Sequence, residues 1–158
     1  MLSGNALSGI AVTGIVTGII DGLFSSVLSV AFYHSTVARL FQGVASVLVG
    51  PEALKGGNRT MLLGILMHFG VAFAWSIVFW ILVDRVDRLR TLMLSPAGVA
   101  VISSLYGPLI WMTMSLVVIP LLAQRPPITY RWWIQFFGHI PFVALPIVAC
   151  TRRFWPPD

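Results

Sequence analysis

Residues 61–83 contain no Lys, Arg, Asp or Glu, and this apolar run constrains the fold more than any other feature of the chain. A helix of about 20 apolar residues is long enough to cross the hydrocarbon core of a bilayer. Trp75 and Trp80 lie in the second half of the run, close to where an aromatic belt meets the lipid headgroups. The run therefore predicts a transmembrane helix, which the charged residues 84–90 end by forming a short loop.

Three further apolar runs predict additional spans, at residues 7–32, 96–122 and 132–150. The composition agrees, since 58% of the residues are hydrophobic and 9% are charged, whereas soluble domains carry about 25% charged residues. Residues 35–50 form a shorter amphipathic segment, which predicts an interfacial or re-entrant helix between the first two spans. The expected fold class is all-α: one transmembrane domain, residues 1–158, built as an antiparallel bundle of four transmembrane helices.

The ten basic and five acidic residues give a net charge of +5. Because the basic residues flank apolar runs, they predict contact with lipid headgroups and not with nucleic acid. Four spans place both termini on one side, and each side then carries five basic residues. Those on the side of the termini are Arg85, Arg88, Arg90, Arg152 and Arg153, and those opposite are Arg39, Lys55, Arg59, Arg125 and Arg131. We expect cytoplasmic termini, because the arginines beside them lie directly against span ends.

Three ionisable residues lie inside the predicted spans: Asp21, His68 and His139. Counted at 1.5 Å per residue from the same interface, both histidines lie roughly 12 Å deep and Asp21 lies roughly 16 Å deep. Thr113 and Ser115 of the antiparallel third span fall at a comparable level. The spacing therefore predicts one polar layer to which all four helices contribute.

Three roles are open for this layer. Its members could hydrogen-bond between helices, an interaction averaging about 0.6 kcal/mol in membranes. Asp21, His68 and His139 could line a pathway for protons, ions or a small solute, because intramembrane ionisable residues commonly mark such paths. Alternatively, His68 and His139 could ligate a haem iron or another metal-bearing pigment. The cofactor is not favoured, because it requires two nearly opposed ring nitrogens.

The first span contains two overlapping GxxxG steps, formed by Gly14, Gly18 and Gly22. Small residues four apart share one helix face and let another backbone approach closely. The chain has no P-loop, GxGxxG or HExxH motif, and its one cysteine, Cys150, cannot form an internal disulfide. These features predict a non-enzymatic accessory or structural subunit that packs against other membrane subunits or against copies of itself.

Several segments carry a resemblance to a known group of proteins. They are residues 41–50, Gly56 and Gly57, residues 63–69 and 117–122, Gly138 and His139, residues 144–149, and Arg152 and Arg153. Together they resemble uncharacterised bacterial four-span inner-membrane proteins. The resemblance implies a compact four-helix membrane fold, a bacterial source and an inner-membrane location, but no activity. The shared pattern includes His68 and His139, which implies that both side chains face inward.

Overall fold

The computed structural model describes residues 4–155, which are almost entirely helical and contain no β-strand. Four helices are long and apolar enough to cross a membrane. They are α1 (Gly4–Val27, continued by a π-helical turn at Leu28–Phe32), α3 (Gly57–Arg85), α5 (Pro96–Leu122) and α6 (Tyr130–Phe154). Two shorter helices join them, α2 (Val37–Val49) and α4 (Asp87–Met93). The predicted all-α bundle is confirmed, and the chain is a multi-pass membrane protein.

Contacts at the two ends of α1 show that the four long helices are antiparallel. Near its start, a Cβ at Gly9 would touch Trp80 near the end of α3 and Phe154 at the end of α6. Near its end, Gly22 lies against His68 in the first half of α3. Both described chain ends therefore lie at the same end of the bundle, together with α4.

The larger cluster of buried apolar side chains in the described residues joins α3, α5 and α6. Phe79, Ile110 and Ile147 are each at most 1% exposed, and the ring of Phe79 lies 5.0 Å from that of Tyr106. By contrast, large apolar side chains such as Leu66 and Leu105 are more than 60% exposed on the outer faces. Apolar surface of this extent faces lipid in a membrane bundle, so the core is defined by close fit between helices and not by exclusion of water.

The glycine stripe of α1 packs inside the chain. A Cβ at Gly14 would overlap the ring of Phe73, and one at Gly18 would overlap the ring of Phe69. Both rings belong to α3, which also contributes His68 opposite Gly22. The three predicted packing glycines therefore join α1 to α3 within one molecule.

The amphipathic segment forms α2, as predicted, and this helix packs closely on α3. The Thr36 hydroxyl accepts a hydrogen bond from the Arg39 N–H at the start of α2, and Gly50 ends the helix with a φ of 84°. A Cβ at Gly64 would overlap the carbonyl group of Phe41, so the two backbones are in direct contact. α2 is thus fixed to the bundle by α3.

Three local expectations differ from the structure. α3 begins at Gly57, four residues before the predicted span. The expected charged loop at residues 84–90 contains the end of α3 and most of α4, with Val86 between the two helices. The fourth span begins at Tyr130, two residues before the predicted start at Trp132, whose side chain is 6% exposed and has its indole N–H bonded inside the bundle.

Arg131, Tyr33 and Tyr130 form an aromatic and cationic cluster at the end of the bundle away from the termini. The guanidinium carbon of Arg131 lies 4.2 Å from the ring centroid of Tyr33 and 5.7 Å from that of Tyr130. Partial burial raises the pKa of the Tyr33 hydroxyl, which keeps it protonated. Tyrosine and arginine stacked in this way are typical of the membrane–water interface.

Candidate functional site

Asp21 of α1 and His68 of α3 form a pair inside the bundle. His68 Nδ1 lies 3.9 Å from Asp21 Oδ2, and the two side chains are 13% and 19% exposed. The other ring nitrogen of His68, Nε2, donates a hydrogen bond to the Gly18 carbonyl oxygen at 2.9 Å. Gly18 can place its carbonyl there because the ring of Phe69 occupies the space of the missing side chain.

These contacts determine where protons sit on the pair. A carbonyl oxygen only accepts, so Nε2 of His68 carries a hydrogen. Nδ1 then carries a second proton if the ring is charged, or presents a lone pair towards Asp21 if it is neutral. The pair can therefore be an imidazolium beside a carboxylate, or a neutral ring beside a carboxylic acid, with the same total of protons.

His139 of α6 is the third ionisable group of the layer. It is 8% exposed, and its Nδ1 donates to the Gln135 carbonyl oxygen at 2.7 Å. The Asp21 carboxyl interacts electrostatically with His139 as well as with His68. Three helices thus bring the three predicted residues to one level, which agrees with the depths counted along the sequence.

The two predicted hydroxyl residues of the layer play a separate part. Ser115 is fully buried, and its hydroxyl accepts a hydrogen bond from Trp132 Nε1 at 3.1 Å, which joins α5 to α6. Thr113 is half-buried. Within residues 4–155 neither hydroxyl is hydrogen-bonded to Asp21 or to a histidine. The candidate site therefore consists of the ionisable residues.

Three further residues surround the site, of which Phe41 and Trp111 were not predicted from the sequence. The Phe41 ring meets that of His68 edge-on at 5.7 Å, and the Trp111 ring lies 5.0 Å from that of His139. Thr17, one turn before Asp21, is 1% exposed. The i, i+4 spacing of Thr17 and Asp21 is a readable signal, whereas Phe41 and Trp111 look like ordinary apolar positions until the neighbouring helices are known.

Two polar atoms beside the pair are not satisfied by the described part of the chain. Asp21 Oδ1 and Thr17 Oγ1 are both buried, and neither has a hydrogen-bond partner within residues 4–155. Buried polar atoms are almost always hydrogen-bonded in native proteins, and ordered water serves where protein groups do not. Two such atoms one helical turn apart give this side of the pair spare capacity to hold a proton or a water molecule.

A cavity of about 620 Å³ opens near the site, at the end of the bundle away from the termini. Trp111 forms part of its wall, as do Ser46 at the end of α2 and Gln124 after α5. Because Trp111 also packs on His139, its indole ring contacts both the cavity and the ionisable layer. Its Nε1 is buried and has no partner among the described residues.

The same contacts limit what the histidines can ligate. His68 could bind a haem iron only by giving up either the Gly18 carbonyl or its contact with Asp21. His139 keeps Nε2 available, since only Nδ1 is bonded to Gln135. Within residues 4–155 no group of three or more His, Cys, Asp or Glu side chains could hold a metal ion. The arrangement suits proton exchange better than axial ligation by two histidines.

Compared with models of protein families, with curated proteins and with solved structures, the chain matches none. The resemblance to bacterial four-span inner-membrane proteins therefore stays a prediction.

Proposed function

We propose that the protein provides a pathway for protons, or for a small solute that moves with them, and that Asp21 and His68 hold the proton within the membrane. The observation that supports this proposal is the 3.9 Å pairing of the two side chains inside the bundle. Intramembrane ionisable residues are costly, and proton relays are one of the functions for which they are used.

The chemistry of the pair suits a relay. The two side chains stand 3.9 Å apart, so a small side-chain movement must first bring them within hydrogen-bond reach. A proton can then move between Asp21 and Nδ1 of His68 without changing the net charge of the site, while Nε2 stays bonded to Gly18. Loss of one proton from the pair leaves a carboxylate beside a neutral ring, and His139 lies within electrostatic range of that carboxylate. His139 Nε2, which makes no hydrogen bond among the described residues, is a suitable acceptor for the next transfer.

Access is proposed through the 620 Å³ cavity at the end of the bundle away from the termini. The Trp111 ring lines this cavity and packs on the ring of His139. A small rotation of that ring would connect the cavity to the layer, so Trp111 is the proposed gate. The proposed location is the bacterial inner membrane, with both termini in the cytoplasm.

The experiment is proton flux into liposomes that contain the purified protein and an internal pH-sensitive dye, driven by a potassium diffusion potential. We expect flux above that of empty liposomes, and we expect Asp21→Asn to abolish the excess, because the amide keeps the size of the side chain but cannot exchange the proton. The matched control is Asp84→Asn, the same chemical change at a carboxylate that is 62% exposed at the end of α3, and it should conduct normally.

Two results would overturn the pathway. One is flux equal to that of empty liposomes in the folded wild-type protein. The other is an Asp21→Asn variant that conducts as fast as the wild type. The thermal unfolding midpoint of each variant, measured before reconstitution, separates loss of conduction from loss of folding.

A second candidate function is that of an accessory subunit that packs against a partner or against another copy of the chain. The helix face that supports it is not the predicted one on α1. The stripe of Gly14, Gly18 and Gly22 lies against α3 within the chain. On the outer side of α3, however, Gly70 and Ala74 are exposed four residues apart, and a Cβ at Gly70 would meet nothing within 4 Å. Two small exposed residues four positions apart on a helix allow a helix of another subunit to approach closely.

A further inference from the structure

A cavity of about 800 Å³ lies at the end of the bundle that carries both described chain ends. Its wall is formed by α4, the start of α5 and the end of α6. The charged residues in the wall are three arginines and one aspartate, Arg90, Arg152, Arg153 and Asp87, which leaves an excess of positive charge. The cavity is separate from the Asp21 site and has no part in the proposed proton path.

The arginines are held in different ways. Arg90 is fixed, because Nε donates to the Val83 carbonyl oxygen at 2.9 Å and Nη2 donates to that of Asp84 at 2.6 Å. Asp87 Oδ1 lies 3.3 Å from Arg90 Nη1. This ion pair neutralises Arg90, so the charges left for a ligand are those of Arg152 and Arg153.

Arg152 and Arg153 keep most of their donors free. Nη2 of Arg152 donates to the Leu94 carbonyl oxygen at 3.0 Å, which orients the guanidinium and leaves its other N–H groups available. Arg153 makes no hydrogen bond or ion pair with another residue of the described chain. Two guanidinium groups that line one cavity and have spare N–H donors can both bind the oxygens of a phosphate.

Apart from Thr91, the rest of the wall is apolar. Met93 and Val99 are buried, and Leu94 is 74% exposed at the mouth. The Trp155 ring lies 5.4 Å from the guanidinium carbon of Arg90 and closes one side. A wall that combines two free guanidinium groups with exposed apolar side chains at the end of transmembrane helices fits a molecule with a charged head and an apolar tail.

We infer that this cavity binds an anionic phospholipid, whose phosphate lies against Arg152 and Arg153 and whose acyl chain lies along the apolar wall. A phosphate ion in solution would satisfy the guanidinium groups but would leave Leu94 and the other apolar side chains in water. The position of the cavity at the membrane surface supplies lipid at high local concentration, and each basic residue near an anionic surface adds about 1 kcal/mol of attraction.

The experiment is native mass spectrometry of the detergent-purified protein after addition of phosphatidylglycerol or phosphatidylcholine. We expect phosphatidylglycerol adducts to exceed phosphatidylcholine adducts in the wild type. Arg153→Gln should weaken phosphatidylglycerol binding about fivefold, the effect of one charge at a membrane surface, and Arg152→Gln with Arg153→Gln should reduce it to the level of phosphatidylcholine. The matched control is Arg85→Gln with Arg88→Gln, which removes two exposed arginines from the same end but outside the cavity, and it should bind as the wild type does.

The thermal unfolding midpoint distinguishes the two sources of phosphate. Phosphatidylglycerol should raise it in the wild type and in the control, whereas inorganic phosphate at the same concentration should not. Equal phosphatidylglycerol adducts on both double variants, or full stabilisation by inorganic phosphate alone, would overturn the inference. The single Arg153→Gln variant keeps the test valid if loss of the Arg152 bond to Leu94 impairs folding.

Discussion

A buried polar side chain in a membrane needs a partner, because lipid offers none. Trp132 satisfies this requirement by donating its indole N–H to Ser115 of the neighbouring helix at 3.1 Å. Asp21 and His68 satisfy it only in part, because they face each other at 3.9 Å and Asp21 Oδ1 has no hydrogen-bond partner among the described residues. The two pairs differ in kind, because the first can only hold helices together, whereas the second also contains a transferable proton.

The Ser115–Trp132 bond provides a test at the scale of single residues. Ser115→Ala and Trp132→Phe each remove one partner, and their effects on the free energy of unfolding should not add. We expect a coupling of about 0.6 kcal/mol, the average for hydrogen bonds between membrane helices. The measurement is a double-mutant cycle by denaturant unfolding in detergent micelles.

A coupling of zero would show that the bond contributes nothing to stability. The matched control pairs Trp132→Phe with Ser103→Ala. The Ser103 hydroxyl is equally buried but bonds to the Val99 carbonyl within its own helix, so this second cycle should be additive.

At the scale of elements, the contact of α2 with α3 determines the shape of one end of the bundle. Gly64 allows it, because its missing side chain leaves room for the Phe41 carbonyl group. Phe41 then also reaches His68, and the Gln42 side-chain N–H of α2 donates to the Gly57 carbonyl oxygen at the start of α3 at 3.1 Å. The direct backbone contact between the two helices depends on Gly64, four positions before the site histidine.

Gly64→Ala should accordingly destabilise the protein. The added methyl group would overlap backbone, which cannot rotate away as a side chain can, so α2 must shift. We expect a loss of about 1–3 kcal/mol in the free energy of unfolding, the usual range for overpacking. Thermal unfolding followed by tryptophan fluorescence measures it.

The control for this substitution is Gly70→Ala, on the same helix but with nothing within 4 Å of the added carbon. It should leave stability unchanged or raise it slightly, because alanine favours a helix over glycine by up to about 1 kcal/mol. Equal effects of the two substitutions would contradict the close backbone contact between α2 and α3.

The long helices could be predicted, because the hydropathy of the sequence directly indicates membrane-spanning segments. The contacts between these helices could not be predicted in this way. Residues 61–83 lack charge, and α3 follows from that fact alone, although its first turns extend back to Gly57. α4 was missed because its charges are typical of a loop. Only the structure brings the Arg90 side chain to the carbonyl groups of Val83 and Asp84, where it caps α3.

At the scale of the whole molecule, the sequence predicted which ionisable residues come together better than it predicted which helices the packing faces meet. Counting residues from a common interface brought Asp21, His68 and His139 to one level, because helical rise is constant. No such rule tells whether a small-residue stripe meets a helix of the same chain or of another. The stripe at Gly14, Gly18 and Gly22 meets α3 of the same chain. A substitution in the stripe therefore tests folding of the monomer and not assembly with another subunit.

Substitutions at Gly18 and at Gly70 should have different effects on folding and assembly, because Gly18 packs inside the bundle and Gly70 is exposed on α3. Gly18→Leu should abolish the folded monomer, because its side chain would collide with Phe69 inside the bundle. Gly70→Leu should keep the unfolding midpoint of the wild type, since it points into open space on α3, but it should separate any dimer or complex that uses the outer face with Ala74. Analytical ultracentrifugation in mild detergent, run beside thermal unfolding, distinguishes the two effects.

If Gly70→Leu leaves the wild-type assembly intact, α3 does not carry the interface and the accessory-subunit proposal loses its structural basis. That result would not affect the proton-pathway proposal, because Asp21 and His68 lie where α1 meets α3 inside the bundle, whereas Gly70 is exposed on α3.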